Sequence, residues 1–264
     1  MGMVSSLLTS LLRGPLAGYR GRRVVELIVG ARFTLAVLDT GHVGVAYTPE
    51  YWDPLGDEYS SEPSLEALAR RADEGPLHRA AALAAFSAAT NAWIDSGGRV
   101  RRCESIVAEL GVSKGDRVMV VGFMRRVAEE AAARGARVIV AERSPQLLAA
   151  ARSLGFSVIG DADAPEYAGE VDHLIVTGSS LLYPGLLLAL LREAAGARSR
   201  ALIGPTANLH PAAIDLLGLT HIGGSFAPRE ASSHIRRRVM QGHGYHGFSR
   251  FMVKWVAGRG GGSG

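Results

Sequence analysis

Arg117-Val118-Met119-Val120-Val121-Gly122-Phe123 is followed, twenty residues beyond its glycine, by Val138-Ile139-Val140-Ala141-Glu142-Arg143. The first is a buried β-run that ends in glycine, and the second is a β-run that ends in an acid. The segment between them has helical character. This is the opening βαβ unit of a nucleotide-binding type of fold, in which such an acid can meet a ribose hydroxyl. The glycine fingerprint is incomplete, however. Met124 and Val127 stand where G-x-G-x-x-G wants its second and third glycines, and their side chains block close approach of a pyrophosphate to the helix N-terminus. A dinucleotide is therefore not expected on the Gly122-Phe123 turn.

Downstream the pattern keeps alternating: helix 125–134, strand 137–141, helix 145–154, strand 157–160, strand 172–176, helix 184–195. Strand 200–203, helix 211–217, strand 220–223 and helix 229–240 follow, and a final β-run, Phe248–Val256, can pair antiparallel at the sheet edge. The expected architecture is a mostly parallel sheet with helices on both faces. Upstream, three β-runs (Val24–Val29, Phe33–Asp39, Val43–Tyr47) are separated by gaps too short for parallel crossovers and must form antiparallel hairpins. Two helical segments come next, the second an alanine-rich run from Leu77 to about Ser96. The βββαα order is that of a small α+β domain. The fold class is α/β, with a small α+β domain over 1–98, a Rossmann-like domain over 99–257 and a disordered glycine-rich tail over 258–264.

The 264 residues suffice for a well-buried core. One cysteine, Cys103, excludes a disulfide framework and any multi-cysteine metal site. The apolar start, Met1 to Leu16, has Arg13 after the apolar run and not before it, so an amphipathic helix is expected there in place of a signal peptide. No apolar stretch is long enough for a membrane span, and a cytoplasmic protein is expected. The net charge of +4 comes from dispersed arginines, with Lys114 and Lys254 the only lysines. Without a basic stripe or interleaved aromatics, nucleic acid is not an expected partner. A homo-oligomer is left open.

In an open parallel sheet, ligands sit beyond the carboxyl ends of the strands. Those ends carry Gly122-Phe123, Glu142-Arg143-Ser144-Pro145, Thr177-Gly178-Ser179-Ser180, Gly204-Pro205-Thr206 and Gly223-Gly224-Ser225. Glycine and hydroxyl turns expose backbone N–H groups that can hold a polar ligand, although tight βα turns require glycine in any case. Glu142 has two readings: acceptor for a ligand hydroxyl, or an acid favoured by the start of the next helix. Asn91, in a helix that should be buried, needs partners, either backbone groups of a neighbouring element or a ligand between the domains. His243 and His246 have an i,i+3 spacing that can begin a metal site but needs further ligands. No cofactor is identified by these motifs.

In order and spacing, several of these segments resemble a prokaryotic two-domain family called Putative heavy-metal chelation. The matching pieces are Val43-Gly44-Val45-Ala46-Tyr47-Thr48, Ala88-Ala89-Thr90-Asn91-Ala92, Val120-Val121-Gly122-Phe123, Glu142 with Pro145, Thr177-Gly178-Ser179, Gly204-Pro205-Thr206 and Gly223-Gly224. Ser87 departs from the glycine common in that helix. The resemblance implies an enolase-amino-terminal-like domain, a Rossmann-like domain related to methyltransferases, and a site between them. The function it implies is binding of a small polar molecule or metal–chelator complex, in the making or processing of a pterin-, flavin- or siderophore-like chelator. An S-adenosylmethionine-type methyltransferase and a non-catalytic binder of a metal or ligand are the alternatives. Asn91, Gly122, Phe123, Glu142, Thr177, Gly178, Ser179, Gly204, Pro205, Thr206 and Gly224 are the expected ligand-binding residues, with His243 and His246 as metal ligands.

Overall fold

The computed structural model describes residues 2–51, 53–56, 59 and 61–259. The glycine tail expected to be disordered lies, from residue 260 onward, outside the described residues. The chain begins with α1 (Met3–Arg13), whose Val4, Leu7, Leu8, Leu11 and Leu12 form one buried stripe, the amphipathic helix expected from the sequence. Strands β1 (Val24–Val29), β2 (Phe33–Leu38) and β3 (Val43–Tyr47) make an antiparallel sheet in the order β1-β2-β3. Helices α2 (Leu65–Arg71) and α3 (Pro76–Asp95) complete the βββαα series.

Helix α3 is buried on every side from Ala80 through Ala92 and apolar there except at Ser87, Thr90 and Asn91, and a helix so apolar must be enclosed. It lies on β3 so closely that a Cβ on Gly44 would sit 2.2 Å from the Ala84 carbonyl oxygen. Alanine is what permits this approach on the helix side, and glycine on the strand side. The other faces of α3 belong to the same core as Met119, Val121, Leu174 and Val176 of the large sheet. The βββαα unit therefore has no separate core of its own.

The large sheet has eight strands in the order β4-β11-β10-β9-β8-β5-β6-β7. Strands β5 (Arg117–Val121), β6 (Arg137–Glu142), β7 (Ser157–Gly160), β8 (His173–Thr177), β9 (Ser199–Ile203) and β10 (His221–Phe226) are parallel neighbours. The last strand, β11 (Val253–Gly258), is antiparallel to β10, as expected. It starts five residues later than the β-run suggested, because Tyr245–Gly247 and Ser249–Phe251 form 3₁₀ turns. Nor is it the edge: the two-residue strand β4 (Arg101–Arg102) pairs outside it. Between β4 and β5 lies the single turn α4 (Ile106–Glu109), begun by Ser105, whose Oγ accepts the Ala108 N–H at 2.9 Å.

On one face of the large sheet, α5 (Arg125–Ala133) and α6 (Pro145–Ser153) cover Val118, Val120, Val140 and Ile175. On the other lie α1, α3, α7 (Ala164–Ala168), α8 (Pro184–Glu193) and α9 (Ala213–Leu217). Helix α10 (Ser232–Met240) crosses back to the small sheet, where Ile235 and Val239 pack on Phe33, Leu35, Val43 and Val45. The three-stranded sheet is thus held between α3 and α10, one element from each half of the chain.

A buried amide network seals this junction. Asn91 donates to the Val43 carbonyl at 2.7 Å and accepts from Asn208 at 2.9 Å. Asn208 also donates to Ser87 Oγ at 2.9 Å and accepts the Trp255 indole N–H at 2.7 Å. The Thr206 hydroxyl accepts the Tyr47 N–H at 2.9 Å. Ser87, where glycine is common in the family resembled, supplies one of these partners.

Candidate functional site

Strand β5 is the topological switch point. The chain runs from it outward through β6 and β7, then returns to β8 on its other side and continues through β9 and β10. Crevices at carboxyl ends beside such a point are the usual ligand positions in open α/β sheets. A cleft of about 830 Å³ opens there, within the range of small-molecule sites. Phe123 and Met124 after β5, Thr177 at the end of β8 and Gly204-Pro205 after β9 form one side. Ser225 of β10, Lys254 and Trp255 of β11, and Cys103 to Ile106 form the other, with Arg125, Arg126 and Val127 of α5 above. Every lining residue falls between 103 and 255, so the cleft belongs to the large sheet and its flanking turns. The interdomain position expected from the sequence is not where it lies, because the junction between the halves is filled by α3 and the Asn91–Asn208 network.

Of the residues expected to bind a ligand, Phe123, Thr177, Gly204, Pro205 and Gly224 line the cleft. The others lie elsewhere. Gly122, with φ +80°, turns the chain where a Cβ would meet Thr177 Cγ2 at 2.5 Å. Gly178 lets the β8 turn press against Ala207, whose backbone nitrogen lies 2.3 Å from the position a Cβ would take. Asn91 and Thr206 are spent on the junction described above, and Ser179 Oγ pairs with Thr177 Oγ1 at 3.3 Å. Gly223 and Gly224 are not a βα turn, since β10 continues to Phe226. At Gly224 the missing side chain makes room for Asn208 and the Trp255 ring.

Glu142 stands at the end of β6 as expected, but its carboxylate is engaged by the protein. Oε2 accepts the Phe123 N–H at 2.7 Å, and Oε1 accepts the N–H groups of Arg143 at 2.7 Å and Ser144 at 2.9 Å. The acid thus holds the very N–H that a phosphate would seek in a glycine-rich turn, and braces the start of α6. Beside it Arg143 lies 3.9 Å over the Tyr183 ring and pairs with Asp161 at 2.9 Å. These contacts occupy the β5–β6–β7 side of the rim, and the open space lies on the β8–β11 side.

His246 lines the cleft, whereas His243 turns to Arg238 at 3.3 Å. Among the described residues, no group of three or more His, Cys, Asp or Glu side chains could hold a metal ion. A metal site built by this pair is thus short of ligands, because no acid or thiol folds in beside them. The residues present do not fit a metal held by the protein alone.

Sequence reasoning did not single out Ser105, Arg125, Arg126, Tyr245, Lys254 or Trp255, and named Ser225 only as part of a strand end. The rarity of lysine and cysteine was the one available signal for Lys254 and Cys103, and β4, two residues long, carries no readable period. Burial and the nearby Glu109 raise the Cys103 thiol above its ordinary range. Burial likewise raises the Tyr245 phenol, opposed by its bond to Ser225 at 2.9 Å. Arg125 pairs with Glu129 at 2.8 Å, and Glu130 with Ser105 and Arg134. Arg126, Lys254 and Glu104 have no such partner among the described residues.

A second polar cluster occupies the opposite, amino-terminal end of the sheet. His173 bonds Ser199 Oγ at 2.7 Å through Nδ1 and Asp116 at 3.2 Å through Nε2. Burial raises the Asp116 carboxyl, but hydrogen bonds from Ser113, Arg198 and His173 outweigh it and hold the group at about 2. His173 is 1% exposed. Buried between them, His173 with Ser199 and Asp116 fastens the starts of β5, β8 and β9 together.

Two solved structures share this architecture. A DUF364-family protein from Pyrococcus horikoshii superposes with a TM-score of 0.75 at 22% identity, over 96% of this chain and 99% of that one. Another, from Desulfitobacterium hafniense, gives 0.74 at 18% identity, over 96% and 98%. At these identities they establish the fold alone. The chain matches no curated protein. A family model, DUF4213, "Putative heavy-metal chelation", matches residues 15–90, and a second with the same description, DUF364, matches residues 106–257. With more than half of its length matched by that second model, the chain belongs to the DUF364 family, "Putative heavy-metal chelation".

Proposed function

We propose that the protein binds a small polar molecule, or the complex such a molecule forms with a metal ion, in the cleft at the carboxyl rim of the large sheet. The cleft carries this reading: its size suits a small molecule, it adjoins the switch point, and polar groups are set among apolar walls. The family description supports a ligand connected with metal chelation. With no three-ligand group among the described residues, the metal would arrive already held by its chelator. A dinucleotide or S-adenosylmethionine is the weaker reading, because Glu142 takes the Phe123 N–H and Met124 and Val127 crowd the turn.

The test is a thermal-shift and calorimetry panel of divalent metals, free and metal-loaded chelators, pterins, S-adenosylmethionine and NADH. A ligand at a hundredfold excess over Kd stabilises its target by about 2.7 kcal/mol. Binding should be lost in Val127→Trp, which puts bulk into the cleft from α5, while the variant keeps its fold by circular dichroism. Binding that survives this substitution would place the ligand elsewhere and refute the reading.

A further inference from the structure

The floor of the cleft contains a row of hydrogen-bond donors that strand register brings together. Lys254 pairs with Ser225 across β10 and β11. One step beyond β4, the Cys103 N–H donates to the Lys254 carbonyl at 3.0 Å, in register with the Arg102–Trp255 pair. Residues directly opposite on antiparallel strands share a face, so Cys103, Lys254 and Ser225 lie side by side on the face that lines the cleft. Cys103 is 9% exposed, and its thiol is free. Ser225 and Tyr245 bond one another, and two hydroxyls sharing one bond keep a second O–H to donate.

The roof adds more donors. Helix α5 begins with no side-chain cap and no acid in its first turn, and places Arg125 and Arg126 there. Cations at a helix N-terminus oppose the helix dipole, whereas an anion there is favoured. Of the acids nearby, Glu129 and Glu130 are already paired, and Glu142, outside the lining, is spent on the Phe123, Arg143 and Ser144 N–H groups, which leaves Glu104 against Arg126 and Lys254. We propose that the cleft recognises an anionic, acceptor-rich ligand, its carboxylate or phosphate groups held between the first turn of α5 with Arg126 and the Cys103–Lys254–Ser225 row. This rests on the cleft being the ligand site, and needs no metal ion bonded to the protein.

The probes are citrate for carboxylates, inorganic phosphate for phosphates, and uncharged riboflavin as the neutral control, titrated calorimetrically at low and high salt. We expect one of the anions to bind more tightly than riboflavin, with affinity falling as salt rises. Lys254→Glu and Arg126→Glu should each weaken it at least tenfold. Both side chains lie at the protein surface, and Lys254→Met and Arg126→Gln, at unchanged melting temperature, should give intermediate losses. Citrate binding without phosphate binding assigns the carboxylate, and the reverse assigns the phosphate. If riboflavin binds as well as either anion and is lost in Val127→Trp, the cleft reading stands and the anion inference is overturned. Anion affinity indifferent to both charge reversals overturns it too. If none of the three probes binds, the anion inference falls; if every bound probe ignores Val127→Trp, both readings fall.

Discussion

Replacing Glu142 by Gln separates the role its sequence position implies from the one its contacts show. The carboxylate accepts three backbone N–H groups, from Phe123, Arg143 and Ser144. Glutamine keeps the shape but turns one oxygen into a donor, so at least one N–H loses its acceptor. The least harmful arrangement keeps oxygen toward Arg143 and Ser144 and points the amide nitrogen at Phe123. Hydrogen bonds to a charged acceptor contribute about 1.5–3 kcal/mol each. Losing one and weakening two should cost about 2 kcal/mol or more, and for a chain of this length lower the melting temperature by roughly 4–8 °C. A mere helix-start acid would cost only about 0.3–1 kcal/mol. Urea denaturation measures the total, and amide hydrogen exchange at Phe123 reports the particular bond. Unchanged protection at Phe123, with a loss under 1 kcal/mol, would refute the staple.

Other substitutions probe the junction and the acid limb. Asn208→Leu strands the Trp255 indole N–H and the Asn91 amide oxygen, and should cost about 3 kcal/mol in urea denaturation. Gly44→Ala places a Cβ 2.2 Å from the α3 backbone; it should lower the melting temperature sharply, and a neutral result would mean α3 does not sit where described. Burial depresses His210 to about 4 from its ordinary value of 6.5. Its neutral form therefore contributes stability that is complete above pH 6.5 and lost as pH falls toward 4. His210→Asn, which retains an acceptor for the Ala212 N–H, should flatten the melting temperature between pH 6.5 and 4. A profile identical to wild type would remove His210 from that limb.

The sequence by itself determined the two sheets and their strand directions, since these follow from short-range facts. Gaps such as Gly30-Ala31-Arg32 admit only hairpins, and the strand–helix alternation after Arg117 admits a parallel sheet. It also pointed to the rim beyond the strand ends, where Phe123, Thr177, Gly204, Pro205 and Gly224 line the cleft.

Only the tertiary structure decided where along that rim the space would open and which groups would face it. Glu142 looks the same in sequence whether it waits for a ribose or holds the Phe123 N–H; the choice depends on a turn nineteen residues away in the chain. Asn91 likewise could have faced a ligand, but Asn208, 117 residues distant, fills its hydrogen bonds. Cys103, Lys254 and Ser225 carry no common motif, because their adjacency arises from the registers of β4, β11 and β10 and not from spacing. Local pattern sets which face of an element is apolar, but strand order and register set which distant side chains share a face, and the cleft is made of such neighbours.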